Sequence, residues 1–412
     1  MTIRLLTHPR PLASMCAGPL ASYIDAYTSL LHQQGYSHKV ARTQLLLVAD
    51  LSKWLQRRRL TAADLDGPLL DRYLRDRKSR QHAARGNRSA LQKLMALLRE
   101  HGIDAKQAPS GAPSMHQRIE EEYRRYLVQE RGLSAASVHN YLPVVQKLLS
   151  ERFSAGRIQL DRLCAVDIIG FVQRHAHELS PGRAKLMTTA LRSFLRHLQH
   201  QGKIDTDLAA SVPCVPRWSL TSVPKFLAPG QVHQVLEHCD RRTASGIRDY
   251  AILLLLARLG LRACEVVSLT LEDIDWHAGK LRLCGKGKRW AELPLSQEVG
   301  HALARYLRRG RPRCGSRRVF IRAHAPRSGF ADSSAICCVV DRALARAGID
   351  CVRRGAHLFR HTLATDMLRQ GASLTEIGQL LRHRHPSTTL IYAKVDLSAL
   401  KALALPWPGG GR

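Results

Sequence analysis

Residues suited to phosphate chemistry are concentrated in the carboxy-terminal half of the chain. In chain order they are Arg262, Lys286, His357, Arg360, His383 and Tyr392. Two guanidinium groups can hold the nonbridging oxygens of a phosphate through bidentate hydrogen bonds, while a hydroxyl nucleophile attacks the phosphorus. A positioned acid can protonate the departing oxygen. The set therefore suits phosphoryl transfer in which preorganised charge replaces a metal ion.

Several of these residues also have an ordinary structural interpretation. Arg262 follows the glycine that ends an apolar helix, and it could form a salt bridge with the nearby Glu265. Lys286 lies in the segment CGKGKRW and could project from a solvated hairpin turn. Tyr392 could be a core residue with a polar tip. Taken one at a time these alternatives stay open, and only the complete set points to catalysis.

The histidine pair on the predicted helix after residue 355 raises the question of a metal site. His357 and His361 lie four residues apart, which places them on one helix face. The segment HLFRH lacks the glutamate of a zinc-protease helix, and Arg360 shares the same face. We therefore expect neither a metal site nor a cofactor.

The composition indicates a polyanionic partner. The 412 residues include 64 lysines and arginines against 33 aspartates and glutamates, which gives a formal net charge of +31. Aromatic residues make up only 5% of the chain. We therefore expect contact with the phosphates of duplex DNA rather than stacking of single-stranded bases, and no small-molecule substrate.

Cysteine usage and hydropathy indicate a protein of the reducing cytoplasm. The ten cysteines are scattered, and no two have Cys-x-x-Cys spacing. The amino terminus has no apolar core of signal-peptide length, and the longest apolar run is interrupted by Arg258. That run is too short to cross a bilayer. We expect a cytoplasmic protein with no disulfide framework and no membrane segment.

Two linkers, at 105–114 and 211–230, are rich in residues that discourage helix and sheet. The predicted domains are residues 1–104, 115–210 and 225–412. Apolar spacing near 3.6 predicts that the first two are small all-α bundles. Their helices run parallel in sequence, each with a serine, Ser37 or Ser134, in N-cap position before a longer amphipathic helix. This parallel indicates an internal duplication.

The third segment predicts a mixed fold. An apolar helix over 246–260 should end at Gly260, and KLRLCGKGKRWAELPL (280–295) predicts two short strands around a Gly-Lys-Gly turn. Helices should follow, including a short one in the leucine-rich tail. The predicted fold class is mainly α with a small β-hairpin or sheet, an α+β arrangement, in the last domain.

These motifs resemble the tyrosine recombinase, or phage integrase, family in both order and spacing. The resemblance rests on LGLRACEVVSL, GKGKRWAELPL, HLFRHTLAT and LRHRHPSTTLIYAKV, and it extends over 225–395. It implies that residues 115–210 are a helical core-binding domain that contacts DNA. Residues 1–104 would be an additional helical module that looks like a second copy of it.

The resemblance implies roles for the residues that would handle the phosphate directly. Arg262 and Arg360 would clamp the scissile phosphate. Tyr392 would be the nucleophile and would form a 3′-phosphotyrosyl bond. Lys286 would be the general acid for the 5′-hydroxyl leaving group.

The remaining roles implied by the resemblance concern proton transfer and support. His357 would act in proton transfer, and His383 would hydrogen-bond the phosphate. Glu265 would support the first arginine, and His361 would be structural. Arg382 stands where the family usually has glycine, and two alternatives stay open for it: it could change the conformation of this loop, or it could add a contact to a phosphate.

The resemblance implies a site-specific DNA recombinase that needs neither metal nor ATP, because each phosphodiester becomes a phosphotyrosine and is then restored. Expected partners are double-stranded DNA with specific recombination sites and further copies of the chain in a tetramer, with related recombinases as additional candidates. The duplicated module favours an integrase or transposase of a mobile element, associated with a bacterial nucleoid. The alternatives are a type IB-like topoisomerase, which shares the chemistry, and a non-catalytic DNA-binding regulator.

Overall fold

The computed structural model describes residues 18–78, 86–103, 114–153, 158–215, 223–285, 289–351 and 354–395. The chain divides into two compact units, one formed by 1–106 with 222–412 and the other by 107–221. Both boundaries lie in the linkers predicted from sequence. The leucine-rich tail, with its predicted helix, lies outside the described residues.

The amino-terminal segment of the first unit contains four described α-helices. They are α1 (Ile24–Gln33), α2 (His38–Arg57), α3 (Gly67–Lys78) and α4 (Asn87–Glu100). Their apolar faces enclose a common core in which Tyr27 and Tyr73 are fully buried. Ser37 caps α2 as predicted, because its side chain accepts a hydrogen bond from the backbone N–H of Val40.

The second unit is also helical in the part of the chain that the structure describes. Its helices are α5 (Met115–Arg125), α6 (Ala135–Arg152), α7 (Ala165–Ala176) and α8 (Pro181–His200). They share a core centred on Tyr123, Phe171 and Phe194. The predicted N-cap Ser134 accepts a hydrogen bond from the backbone N–H of Ser137, at 3.3 Å.

The carboxy-terminal segment of the first unit is built around a buried apolar helix. Its described helices are α9 (Gln231–Glu237), α10 (Ala244–Leu259), α11 (Ala263–Ser268), α12 (Gln297–Arg305), α13 (Ser334–Arg346), α14 (Ala356–Arg369) and α15 (Leu374–Leu380). Residues 251–256 of α10 are fully buried, so this helix forms the centre of the core. A short 3₁₀ helix, Leu390–Val395, follows α15 and contains Tyr392.

A small antiparallel sheet completes this segment. Its strands, in the order β1-β2-β3, are β1 (Ile274–Asp275), β2 (Lys280–Cys284) and β3 (Trp290–Pro294). The β2–β3 hairpin was predicted, and Cys284 pairs with Trp290 beside its turn. The two-residue strand β1 was not predicted, because so short a segment has no periodicity of its own. A mainly α fold with one small sheet confirms the predicted class.

The described residues include no disulfide and no membrane-crossing helix. All nine cysteines in these ranges are free thiols. No described helix is at once long enough and apolar enough to cross a bilayer.

Gly260 allows the sharp turn that follows α10. Its φ of 56° lies in the left-handed region, and a Cβ at this position would lie only 2.8 Å from Cδ2 of Leu381. Side chains larger than hydrogen are therefore disfavoured for two independent reasons, backbone strain and close approach. The turn brings Arg262 next to the segment that ends α15.

We predict that Gly260→Ala destabilises the protein more than Gly348→Ala. Gly348 also lies in the left-handed region, with φ 65°, but a Cβ there would meet nothing within 4 Å. Alanine at Gly348 should therefore lower the free energy of unfolding by about 1–2 kcal/mol through backbone strain alone. Urea denaturation followed by circular dichroism measures both losses. Equal losses would show that the packing against Leu381 relaxes without cost.

Candidate active site

The guanidinium group of Arg360 joins the helix α14 to two distant loops. The side chain is only 3% exposed. Its Nη1 donates to the carbonyl oxygen of Gly260, and its Nη2 donates to the carbonyl oxygen of Leu381. These acceptors lie two residues before Arg262 and two residues before His383. One buried side chain therefore sets the spacing between α14 and two other candidate catalytic residues.

Arg262 is the N-cap residue of α11 and is held there by Glu265. Its backbone N–H donates to Oε2 of Glu265 at 2.8 Å, and its Nη1 donates to Oε1, also at 2.8 Å. The salt bridge between Arg262 and Glu265, which would give Arg262 a purely structural role, is thus present. The arginine side chain nevertheless remains 26% exposed, whereas the glutamate is 1% exposed. The guanidinium can therefore still receive an anion from solvent.

A third arginine shares the same carboxylate. Nη2 of Arg382 donates to Oε2 of Glu265 at 2.8 Å, and the Arg382 side chain is 12% exposed. Burial alone would raise the pKa of Glu265. The positive charge of Arg382 and the hydrogen bonds from Arg262 outweigh this effect, so the pKa lies below its usual value. Glu265 is therefore an ionised carboxylate between two arginines.

Arg382 has a backbone conformation that is unusual for its residue type. Its φ is 54°, in the left-handed region. This conformation costs about 1–2 kcal/mol for a residue with a Cβ. A charge-assisted hydrogen bond contributes about 1.5–3 kcal/mol, enough to offset that strain. Arg382, which replaces the usual glycine, thus forms an ion pair with Glu265 that the sequence did not predict.

His383 is fixed at both its backbone and its ring. Its backbone N–H donates to the carbonyl of Gly378 at 2.9 Å, and its Nδ1 is hydrogen-bonded to Oγ1 of Thr389 at 2.8 Å. Burial, followed by the charges of Arg360 and Arg262, lowers the pKa of His383 to about 4. The imidazole is therefore neutral at pH 7, which suits it to donate a hydrogen bond without adding positive charge.

Tyr392 lies inside the protein and contacts α14. It is 1% exposed, and its hydroxyl forms a 2.9 Å hydrogen bond with Nδ1 of His361. Burial raises the pKa of Tyr392 to about 12, with the charge of Arg360 acting in the opposite direction. The family resemblance implied only a structural role for His361, and the sequence did not predict its contact with the candidate nucleophile. The only feature of the sequence that could have indicated this contact is the position of His361 next to Arg360.

His357 lies one helical turn before His361. The two rings have centroids 6.3 Å apart on the same side of α14, as their spacing predicted. Although His357 is an exposed residue, desolvation of its ring and the charges of Arg360 and Arg262 lower its pKa. His357 is therefore harder to protonate than a histidine in water.

Lys286 lies outside the described residues, but the structure describes the hairpin residues that flank it, up to Gly285 and again from Arg289. Gly285 donates its N–H to the carbonyl of Arg289 at 2.7 Å, which closes the hairpin end. A Cβ added to Gly285 would lie 3.8 Å from Oε1 of Glu265. Gly285, one residue before Lys286, therefore lies beside the Arg262–Glu265 pair.

The charge balance of these residues favours an anionic ligand. Arg262, Arg360 and Arg382 contribute three positive charges, and the Glu265 carboxylate that binds two of them contributes one negative charge. Burial, followed by the charges of Arg262 and Arg382, lowers the pKa of Arg360 to about 10. No group of three histidine, cysteine or acidic side chains is placed to hold a metal ion within the described ranges.

Comparison with known proteins assigns this arrangement to a family. The profile of the "Phage integrase family" matches residues 225–398. The "Putative integrase/recombinase y4rA" of Sinorhizobium fredii is 48% identical over 393 residues, which cover 95% of each chain. The chain belongs to the phage integrase family of tyrosine recombinases. The tyrosine recombinase XerD of Listeria monocytogenes is 31% identical over 291 residues, covering 68% of this chain and 95% of XerD.

A solved recombinase has the same fold at low sequence identity. XerH, bound to palindromic difH substrate in a post-cleavage complex, aligns with a TM-score of 0.55 and 18% identity, over 71% of this chain and 90% of its own. The tyrosine recombinase described here is accordingly a site-specific DNA recombinase that cleaves and rejoins DNA strands. The predicted family and function are confirmed, and the topoisomerase and regulator alternatives are not favoured.

The lowered pKa of His383 predicts a pH-dependent stability. Between its ordinary value of 6.5 and its folded value of about 4, the unfolded chain binds a proton that the folded protein does not. Stability should therefore fall as the pH falls through this window. We predict that His383→Asn, which can keep a hydrogen bond to Thr389, loses less stability than the wild type between pH 7 and pH 5. Urea midpoints at the two pH values measure the difference.

The exposed His301 of α12 provides the control for this measurement. His301→Asn makes the same substitution at an exposed position, and His383→Asn should lose less stability than His301→Asn over this pH interval. Identical pH dependence in the wild type and in His383→Asn would mean that His383 does not titrate abnormally.

Proposed function

We propose that this recombinase cleaves DNA by attack of the Tyr392 hydroxyl on the scissile phosphate. The observation that carries the proposal is the set of hydrogen bonds made by two adjacent residues of α14. Arg360 binds the carbonyls of Gly260 and Leu381, and His361 binds Tyr392. These bonds bring the segments of Arg262, His383 and the nucleophile to one helix.

The arginines would bind the nonbridging oxygens of the phosphate. Arg262 offers a partly exposed guanidinium fixed by Glu265, and Arg360 offers a buried guanidinium that donates hydrogen bonds to two neutral backbone carbonyl groups. Charge develops on these oxygens as the phosphorus becomes pentacoordinate, and preorganised cations stabilise it without reorientation. Neutral His383 would add a hydrogen bond to the same oxygens.

The reaction requires two proton movements. The phenolic oxygen of Tyr392 forms a bond to phosphorus as the bond to the 5′-oxygen breaks, which leaves a 3′-phosphotyrosyl bond and a free 5′ end. His357 would take part in removing the phenolic proton, and Lys286 would protonate the leaving oxygen. Attack by a 5′-hydroxyl reverses these steps and releases Tyr392. Because the phosphotyrosine conserves the bond energy, no ATP is consumed.

The substrate in this proposal is double-stranded DNA with specific recombination sites, bound by four copies of the chain. Exchange of both strands between two duplexes breaks four phosphodiester bonds, and each chain supplies one Tyr392. A tetramer therefore follows from the stoichiometry of the chemistry. The net charge of +31 supports a large contact area with phosphates. The crystal structure of XerH bound to its difH substrate supports DNA binding by this fold.

We further propose that the amino-terminal segment is a second copy of the core-binding domain formed by residues 115–210. The hydroxyl of Tyr27 on α1 donates to the carbonyl of Ala90 on α4 at 2.9 Å. In the second unit, the hydroxyl of Tyr123 on α5 donates to the carbonyl of Ala190 on α8 at 3.4 Å. The same buried bond between the first and the fourth helix of each bundle supports a shared ancestry, and both bundles would contact DNA.

The proposed setting is a mobile genetic element in a bacterial cell. Similarity to the integrase/recombinase y4rA over almost the whole chain, including the additional module, supports integration or transposition rather than resolution of chromosome dimers. A protein with this substrate would work in the cytoplasm, at the nucleoid. Related recombinases would be candidate partners in the same complex.

The nucleophile is tested by Tyr392→Phe, which keeps the ring and its packing but removes the attacking oxygen. We predict unchanged DNA binding and complete loss of the covalent complex on nicked suicide DNA, measured by denaturing gel electrophoresis. Tyr250→Phe, at a partly buried tyrosine of α10, is the matched control and should still form the complex. A covalent adduct that persists in Tyr392→Phe would assign the nucleophile to another residue.

The phosphate clamp is tested by Arg262→Lys, which retains the charge but loses the bidentate fork. We predict a decrease of roughly 100-fold or more in the single-turnover cleavage rate, similar to the loss of one oxyanion-hole donor. The control is Arg258→Lys, at an exposed arginine paired with Glu298 near the end of α10. Near-normal cleavage by Arg262→Lys would mean that Arg262 does not clamp the phosphate and only forms a structural ion pair with Glu265.

A further inference from the structure

The turn after α15 has a geometry that normally selects glycine but contains Arg382. The backbone N–H of Arg382 donates to the carbonyl of Gln379 at 3.0 Å, and that of His383 donates to the carbonyl of Gly378 at 2.9 Å. This pair of bonds is the Schellman motif, whose left-handed residue is usually glycine. Arg382 takes that position with φ 54°. Arg59, after α2, has the same conformation with φ 57°, but it is exposed, whereas the side chain of Arg382 is largely buried and makes an interaction that glycine could not make.

The interaction is an ion pair across 117 residues of sequence. Nη2 of Arg382 donates to Oε2 of Glu265 at 2.8 Å, in a region where both side chains are largely buried. The same carboxylate holds both the backbone and the guanidinium of Arg262. In addition, Nη2 of Arg262 lies 3.5 Å from the carbonyl oxygen of Arg382. Arg382 thus connects the turn that holds His383 to the helix end that holds Arg262.

We propose that Arg382 is a positioning residue that acts through Glu265 to orient the guanidinium of Arg262 for the scissile phosphate. The proposal rests on the phosphate-binding role given to Arg262 above. Two consequences follow from the geometry. Arg382 fixes the distance between the Arg262 and His383 segments, and it shares the negative charge of Glu265. Arg262 paired alone with Glu265 would be a neutral pair, whereas the three groups together keep one positive charge for the phosphate.

The first test replaces Arg382 by residues that accept the left-handed conformation but cannot bind Glu265. Arg382→Gly and Arg382→Asn both relieve the backbone strain and remove the positive charge. We expect the thermal midpoint of each variant to remain within a few degrees of the wild type, and DNA affinity to change little. The single-turnover rate of covalent complex formation on suicide DNA should fall at least tenfold. Wild-type rates in both variants would overturn the proposal.

A merely structural role predicts a different pattern from a positioning role. If the cleavage rate of each variant falls only as much as its fraction of folded protein, Arg382 only stabilises the turn, and the proposal is wrong. Arg384→Gly is the matched control, since it removes an exposed arginine from the same turn. It should stay within about twofold of the wild-type rate. A tenfold loss in Arg384→Gly would show that reduced positive charge alone explains the effect, which also contradicts the proposal.

The route through Glu265 is tested by a double-mutant cycle. If Arg382 acts through this carboxylate, Arg382→Gly should cause no further loss of rate in a Glu265→Gln background. An undiminished tenfold loss in that background would mean that Arg382 contacts DNA directly. The proposed nucleophile is judged separately by Tyr392→Phe in the otherwise wild-type protein. If Tyr392 is not the nucleophile, the Tyr392→Phe protein will still form the covalent adduct with DNA. That result does not depend on the double-mutant cycle, so the two proposals can fail separately.

Discussion

The arrangement of the catalytic segment depends on one buried cation, the guanidinium group of Arg360. Burying a charge is costly unless it is well hydrogen-bonded, and this one donates to two backbone carbonyls from segments that are far apart in sequence. Neither carbonyl could move far without leaving the cation unsatisfied. The turn at Gly260 and the end of α15 are therefore held at fixed places relative to α14. The residues that follow these two points, Arg262 and His383, take their positions from this constraint.

The same site keeps an excess of positive charge by using a single carboxylate for two arginines. Glu265 lies in the interior, where an uncompensated charge would be destabilising, and it is satisfied by Arg262 and Arg382 together. Burial and repulsion from these two arginines lower the pKa of Arg360 to about 10. An incoming phosphate diester would relieve that repulsion. In the proposed function, affinity for the scissile phosphate and stabilisation of the charge that develops on it would thus have a common electrostatic origin.

The candidate nucleophile is held in a resting state by the same helix. Tyr392 packs in the small cluster with Ala364, Ile377 and Leu381, and its hydroxyl is occupied by His361. Burial disfavours the phenolate, while the charge of Arg360 favours it. If Tyr392 is the nucleophile, as proposed, a phosphate bound at the arginines would change this balance. The proposed link between phosphate binding and proton loss from Tyr392 would then depend on the charge of Arg360 on a neighbouring element.

The sequence by itself determined the features that depend on local interactions. Apolar periodicity predicted the helical bundles, the glycines around Lys286 predicted the β2–β3 turn, and Ser37 and Ser134 identified helix starts, since an N-cap bond spans only three residues. The resemblance of four motifs to a known family supplied the candidate site residues. Only the tertiary structure decided that Arg382 pairs with Glu265 and that His361 binds Tyr392. These contacts join residues 117 and 31 positions apart, and packing, not spacing, brings them together. The left-handed conformation of Arg382 was equally hidden, because local preference argues against it and a distant carboxylate offsets its cost.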